Sequence, residues 1–340
     1  MIREAIAAVV SGRSLDSVEA AAVMRQIMEG EATPAQIAAL VVAMRMKGET
    51  PEELAGFAET MLSHAVRIES DAELDTCGTG GDGSHTFNIS TTAAFVAAGA
   101  GVRVAKHGNR AMSSMCGSAD VLSELGVKLD LEPRAVERCI REVGIGFMFA
   151  PVFHPAMKHA AGPRREIGIR TMFNILGPLC NPAGARAQLL GVADETLVEK
   201  MATVLQRLGF GRAMVVHGED GLDELTLAGR SLVCELRDGR LQTYQIVPED
   251  YGLPRATAED LAGGTVEENA KMLRDVLSGS TGPRRHIVLL NAGASLYVAG
   301  AAESIRDGLA LAADSIDSGR ALAKLRELVD FCRNTEGVAA

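Results

Sequence analysis

The chain has 340 residues, and its 34 Lys and Arg against 44 Asp and Glu give a formal net charge of −10. That acidic balance argues against broad binding to a phosphate backbone, and 4% aromatics with no Trp leave few platforms for stacking single-stranded nucleic acid. Hydrophobic residues at 47% and charged residues at 23% describe a globular chain, long enough for one large domain or two unequal ones.

Residues 1–67 read as a helical domain. Met1 leads into a polar helical segment, without the basic stretch and apolar run of a secretory leader. Asp16 with Glu19, Thr33 with Gln36, and Thr50 with Glu53 fit the capping-box spacing. Pro34 and Pro51 fall at first helical positions, where a missing N–H is harmless. Ile37, Leu40, Val41 and Met44, then Leu54, Phe57 and Met61, recur at helical spacing and predict a bundle of short amphipathic helices. A small domain of this kind also offers a surface for self-association.

Residues 68–340 change pattern. Short apolar runs predict strands at 74–77, 102–105, 147–149, 188–192, 213–217 and 286–291, with helices between them at 91–98, 119–125, 133–142 and 195–208. Such alternation predicts an α/β domain with a mostly parallel central sheet flanked by helices, and ligands bound beyond the carboxyl ends of the strands. Two apolar runs around Arg237-Asp238-Gly239-Arg240 read as a hairpin, and the segment near 160–180 is expected to pack with the helical domain. No apolar run is long enough to span a bilayer. The six cysteines, none in a C-x-x-C spacing, read as small buried hydrophobes in a reduced, cytoplasmic chain.

The chemistry gathers at the predicted strand ends. Cys77-Gly78-Thr79-Gly80-Gly81-Asp82-Gly83 follows the first strand, and such glycines let backbone N–H groups converge on an anion. The run is neither a Walker loop nor a dinucleotide fingerprint. Asn88-Ile89-Ser90-Thr91 then opens a helix whose N-terminus suits a phosphate. Lys106-His107-Gly108-Asn109-Arg110 forms a basic cluster, followed by Ser113-Ser114 and Gly117-Ser118; its natural target in an acidic protein is a highly phosphorylated small molecule. Asp223-Glu224 suits a hard divalent cation that also binds phosphates, although taken alone such a pair more often belongs to a surface. Arg164 through Arg170 either grips a carboxylate or charges a helix face. His154 and His159, five apart, do not make the zinc spacing of a helix.

With Arg170-Thr171-Met172-Phe173-Asn174, Asn181-Pro182-Ala183 and His217-Gly218, these motifs resemble, in order and over nearly the whole chain, the anthranilate phosphoribosyltransferase family. The resemblance implies the fold shared with pyrimidine nucleoside phosphorylases, a homodimer formed through the helical domain, and Mg²⁺ as cofactor. It implies transfer of a phosphoribosyl group from phosphoribosyl pyrophosphate (PRPP) to anthranilate in tryptophan biosynthesis. Residue by residue, it implies a PRPP site of Gly78, Gly81, Asp82, Thr86, Asn88, Ile89, Ser90, Thr91, Lys106, His107, Gly108, Asn109, Arg110, Ala111, Met112, Ser113, Ser114 and Ser118. Magnesium falls to Ser90, Asp223 and Glu224, and anthranilate to Gly78, Asn109 and Arg164. Asn109 and Arg164 position the amine, and His107 is the candidate for proton handling. Met115 departs from the pattern, standing where many relatives carry a basic residue. A nucleoside phosphorylase would show a Lys-x-Ser-x-Gly-Gly loop, which the chain lacks; a nucleic-acid-binding relative would show a basic face and degraded magnesium motifs.

Overall fold

A computed structural model describes residues 1–111 and 115–336. Four helices build the N-terminal bundle: α1 (Ile2–Val10), α2 (Ser17–Met28), α3 (Pro34–Lys47) and α4 (Pro51–Ser63). Asp16, Thr33 and Thr50 each accept a bond from the N–H three residues on, and Glu19, Gln36 and Glu53 return one, as the spacing predicts. These reciprocal bonds satisfy donors that a helix start leaves open. The wholly buried Glu53 also accepts from Leu15 N at 2.8 Å and Lys47 Nζ at 2.9 Å, tying the α1–α2 connection to α4.

The large domain follows in chain order: β1 (Leu74–Gly78), α5 (Ile89–Gly99), β2 (Val104–Gly108), α6 (Ser118–Glu124), α7 (Pro133–Val143) and β3 (Ile145–Phe149). The short α8 (Ala150–Phe153) leads to α9 (Lys158–Ile167), α10 (Met172–Leu176), β4 (Ala187–Gly191), α11 (Leu197–Arg207) and β5 (Arg212–Gly218). A hairpin of β6 (Ser231–Arg237) and β7 (Arg240–Ile246) precedes α12 (Ala258–Leu261), α13 (Val266–Leu277), α14 (Pro283–Val298), α15 (Ile305–Asp317) and α16 (Arg320–Glu336). The hairpin turn places Asp238 and Gly239 at φ +52° and +72°, the left-handed pair that a two-residue turn requires.

The sheet order is β3-β2-β1-β4-β5-β6-β7, parallel from β3 through β5 and antiparallel at β6 and β7. The chain winds outward from β1 to β3 and then returns to the other side of β1 as β4. That reversal opens a crevice beyond the carboxyl ends of β1 and β4. One apolar core lies between the sheet and α5 with α14–α16; the other joins the bundle to α9–α11 and the opposite sheet face. Within the second, Ala160, Met172, Phe173 and Leu176 share a core with Leu40, Met44 and Phe57.

Two expectations are corrected. Residues 286–291 are not a strand but the middle of α14, with Pro283 in its first turn. Burial all around (Ile287, Val288, Leu290 and Ala292) removes the polar face that marks a helix, and a short apolar run then reads either way. The second strand runs to Gly108 rather than stopping at 105, because it pairs in register with β3 from Val104↔Ile145 to Gly108↔Phe149. Lys106 and His107 therefore lie within a strand and point to opposite faces. All six cysteines are free, five of them buried, and no helix among the described residues is long and apolar enough to cross a membrane.

Candidate active site

The site is built where β1 and β4 end, at the paired residues Gly78 and Gly191. The segment after β5 crosses directly over this pair. A Cβ on Gly191 would stand 1.6 Å from the Asp223 carbonyl oxygen, and one on Gly78 would stand 2.1 Å from Asp223 Oδ2. Glycine is needed at both positions for close approach of the crossing chain. The loop beyond β1 then closes over it. Gly80 N donates to Asp223 Oδ2 at 2.7 Å, Thr79 N to the Gly191 carbonyl at 2.9 Å, and Ser84 N to Asp82 Oδ1 at 3.3 Å. Gly80 and Gly81 adopt φ of +67° and +72° to make this turn.

Glu224, which is buried where Asp223 is half-buried, accepts from Ser90 N in the first turn of α5 at 3.1 Å. Burial lifts the Asp223 carboxyl well above the usual carboxylate range, and the charges of Asp82 and Glu224 add to it. Burial likewise pushes Glu224 up to about 7, against the opposing charge of Lys106 and hydrogen bonds from Ser90. Lys106 is itself buried, with Nζ donating to the Thr76 carbonyl at 2.6 Å. Mutually repelling carboxylates with hard oxygen donors fit a divalent cation of the magnesium type. Among the described residues no three His, Cys, Asp or Glu side chains form a cluster that could hold a metal ion. Asp223 and Glu224, with Ser90 beside them, are the oxygen donors that could hold such a divalent cation.

Magnesium stabilisation should consequently depend on pH. Glu224, raised from 4.5 to about 7, keeps a proton in the folded chain that the unfolded chain has released. Its contribution to stability is present at low pH and lost as pH rises through about 7. A cation replaces that proton. The rise in unfolding temperature produced by Mg²⁺ should therefore be larger at about pH 8 than at about pH 6, the ionised fraction growing roughly tenfold. Calorimetry at both pH values checks this, and equal rises would contradict it. Burial of His107 and His154 acts in the opposite direction below 6.5, so the difference made by magnesium is the quantity to read.

The remaining residues divide. Asn88 caps no amide of α5; its Nδ2 donates to the Cys116 carbonyl at 3.2 Å. Thr86 forms a backbone bridge with Ala262 that pins the far end of the glycine loop. Arg110 Nη1 pairs with Asp120 Oδ1 at 2.8 Å, and its guanidinium lies over the Phe149 ring. The structure thus gives Arg110 a protein carboxylate, away from the glycine loop. Asn109 is exposed, accepting from Arg110 N at Oδ1 and from Ser118 Oγ at its carbonyl. Ala111 N donates to Asp120 Oδ2 at 2.9 Å. Met112, Ser113 and Ser114 lie outside the described residues.

On the other face of β2, the buried His107 ring sits 5.0 Å from that of His154, and its Nε2 has no hydrogen-bond partner. Burial first, then the neighbouring His154, lowers His107 to about 3, so the imidazole is neutral at physiological pH. Asn181, noticed in the sequence only as part of a motif, donates from Nδ2 to Asp75 Oδ2 at 2.7 Å and to the Ala105 carbonyl at 2.8 Å, bracing β1 against β2. Arg164 is half-buried in the last turn of α9, 5.2 Å above the Phe173 ring and without an ion-pair partner among the described residues. Burial lowers its pKa, the mark of a guanidinium short of an anion. Arg170, expected with Arg164 either to grip a carboxylate or to charge a helix face, instead lies on the glycine loop, where its guanidinium fills the space beside Gly81 and Nη2 donates to the Thr79 carbonyl.

A cavity of about 590 Å³ lies at the amino ends of β1, β4 and β5 beside Glu73, Arg186 and Arg212. It is at the opposite end of the sheet from the converging loops, so convergence of functional groups, not depth, locates the site.

The large-domain model of the glycosyl transferase family (a/b domain) matches residues 70–322, and the model of its helical bundle domain matches residues 3–65. The fold is that of this family of transferases. The chain is 60% identical to the anthranilate phosphoribosyltransferase of Moorella thermoacetica, over 97% of this chain and 98% of that one. The crystal structure of the Thermus thermophilus anthranilate phosphoribosyltransferase superimposes with a TM-score of 0.92 at 48% identity, covering 97% of this chain and 99% of that one. The Saccharomyces cerevisiae enzyme in complex with PRPP and Mg does so with a TM-score of 0.89 at 28% identity, covering 98% of each chain. The chain belongs to the anthranilate phosphoribosyltransferase family.

Proposed function

We infer that the protein transfers the phosphoribosyl group of PRPP to the amino group of anthranilate, releasing pyrophosphate, as a step of tryptophan biosynthesis. The observation that carries this reading is the convergence of the glycine loop, Lys106, Asp223 and Glu224 on the crevice between β1 and β4, in a chain of this family. PRPP is assigned to Gly78, Gly81, Asp82, Thr86, Asn88 to Thr91, the segment from Lys106 to Ser114, and Ser118. The yeast relative bound to PRPP and Mg supports that class of ligand.

Ser90, Asp223 and Glu224 hold magnesium, which when bound neutralises charge developing on the leaving pyrophosphate. Lys106 and the N–H groups of the glycine loop supply fixed positive potential in the same crevice. Arg164 grips the anthranilate carboxylate, and Arg164 with Gly78 and Asn109 turns the amine toward the ribose carbon. Aniline-type nitrogen is an adequate nucleophile toward an oxocarbenium-like carbon, so positioning matters more than a strong base. The neutral His107 is the imidazole assigned to the amine proton. We further assign residues 1–67 to the helical domain and 68–340 to the transfer domain. Val10, Val18 and Met46, exposed apolar side chains on the bundle, support a homodimer formed through it. The reaction is placed in the cytoplasm.

Pyrophosphate release from PRPP should require anthranilate and match its consumption one for one; folded protein that releases none would overturn the reading. Arg164→Ala should raise the KM for anthranilate roughly 10- to 100-fold, the range of a charge-assisted hydrogen bond, and leave that for PRPP nearly unchanged. Steady-state kinetics with each substrate varied checks the split, and equal changes would remove the assigned role.

A further inference from the structure

We propose that Arg170 is a positioning residue that braces the glycine loop against the helical domain and so sets the shape of the pyrophosphate end of the site. The role in catalysis rests on the reading that this loop receives PRPP; the brace itself does not. Arg170 stands in the short link between α9 and α10. Helix α9 packs on α2 and α3, and α10 on α3 and α4, so the link is carried by the bundle. The side chain, however, reaches the transfer domain. Its Nη2 donates to the Thr79 carbonyl at 3.3 Å. Its guanidinium also occupies the space beside Gly81: a Cβ there would stand 1.4 Å from Nη1 and 2.4 Å from Cζ.

The charge environment fits a brace rather than a simple ion pair. No carboxylate lies within ion-pair distance of Arg170 among the described residues, yet Asp82 and Asp223 act on it from farther off and oppose the effect of its burial. The cation thus faces the acidic centre without occupying it. The same stretch carries Arg164, whose carbonyl accepts from Gly168 N at 3.2 Å where α9 stops. One structural element therefore bears the group assigned to anthranilate and the group that shapes the loop assigned to PRPP. A planar guanidinium suits this task, because it can stack on a glycine peptide and donate sideways at once.

The test combines Arg170→Ala, Gly81→Ala and the double variant. Titration calorimetry with PRPP and Mg²⁺, anthranilate KM and amide hydrogen exchange of residues 79–84 are measured on the full chain. Arg170→Ala should weaken PRPP roughly 10- to 100-fold, as loss of a charged hydrogen-bond partner does, with anthranilate KM changed less than about threefold. Exchange of the loop amides should quicken about tenfold while that of α5 is unchanged. Gly81→Ala evicts the guanidinium and also forces a side chain into the left-handed region at φ +72°, so it should quicken the loop at least as much, and adding Arg170→Ala to it should change little further, because the contact is already gone. Unchanged loop exchange in Arg170→Ala, equal weakening of both substrates, or multiplying effects would overturn the proposal. If Arg170→Ala fails to fold, Arg170→Lys, which keeps the charge but not the planar fork, decides by the same readouts. Failure of the wild-type protein to bind PRPP would instead overturn the functional reading, with the exchange measurement still deciding the brace.

Discussion

Asp223→Asn is expected to lower kcat/KM by about a thousandfold, the several kcal/mol that a correctly held metal ion supplies. The same substitution should raise the unfolding temperature of the ligand-free protein. Asp223 is half-buried beside Asp82 and Glu224, and its ionised form is disfavoured by desolvation and by both neighbours. Asn removes the charge while retaining an oxygen that can accept from Gly80 N. Loss of activity with a gain in stability is the signature of a site whose repulsion serves a ligand. Kinetics and calorimetry on one preparation check it. Activity lost together with stability would mean that Asp223 is structural, and retained activity would mean that magnesium is held elsewhere.

Gly191→Ala should impair the enzyme about a hundredfold although Gly191 is no ligand, because misplacement of catalytic groups by about 1 Å costs that much. The added methyl would meet the Asp223 carbonyl oxygen at 1.6 Å and its carbonyl carbon at 2.4 Å. Those are backbone atoms and cannot swing aside as a side-chain tip would, so the segment bearing Asp223 and Glu224 must move. Overpacking of this kind also costs roughly 1–3 kcal/mol of stability. Gly211→Ala is the control: at the start of β5 its nearest neighbour would be the Arg186 carbonyl oxygen, at 3.9 Å. That variant should keep both activity and stability. Michaelis kinetics and thermal unfolding separate the two, and an active Gly191→Ala enzyme would show that the crossing segment is not rigidly placed.

What the sequence made legible was local. The three capping boxes, the Asp238-Gly239 turn and the glycine loop each fix their geometry within a few residues, and each appears in the structure. Asp223 and Glu224 were legible as chemistry, yet not as partners of Gly80 and Ser90, contacts that span 143 and 134 residues. Arg170 was hidden for the same reason, since its hydrogen bond to Thr79 crosses 91 residues and two domains. The error at 286–291 came from a helix buried on every side, whose composition carries no period. The shift of β2 mattered more for function. It separates Lys106, facing Thr76 and the acidic centre, from His107, facing His154, two residues that the sequence presents as one cluster.

The acidic net charge also takes on a definite meaning. It is a sum over the whole surface, while the crevice holds the buried Lys106 beside the paired carboxylates. A long polyanion meets the surface; a small phosphorylated sugar meets the crevice.

The central claim is that Asp223 and Glu224 serve a magnesium-dependent transfer to anthranilate, and anthranilate fluorescence tests it most directly. With PRPP and Mg²⁺, the wild-type protein should extinguish the signal, while omission of Mg²⁺ or the Asp223→Asn substitution should leave it nearly constant over the same interval. A signal that persists with folded wild-type protein and both additions, or one that decays equally well without magnesium, would contradict the account.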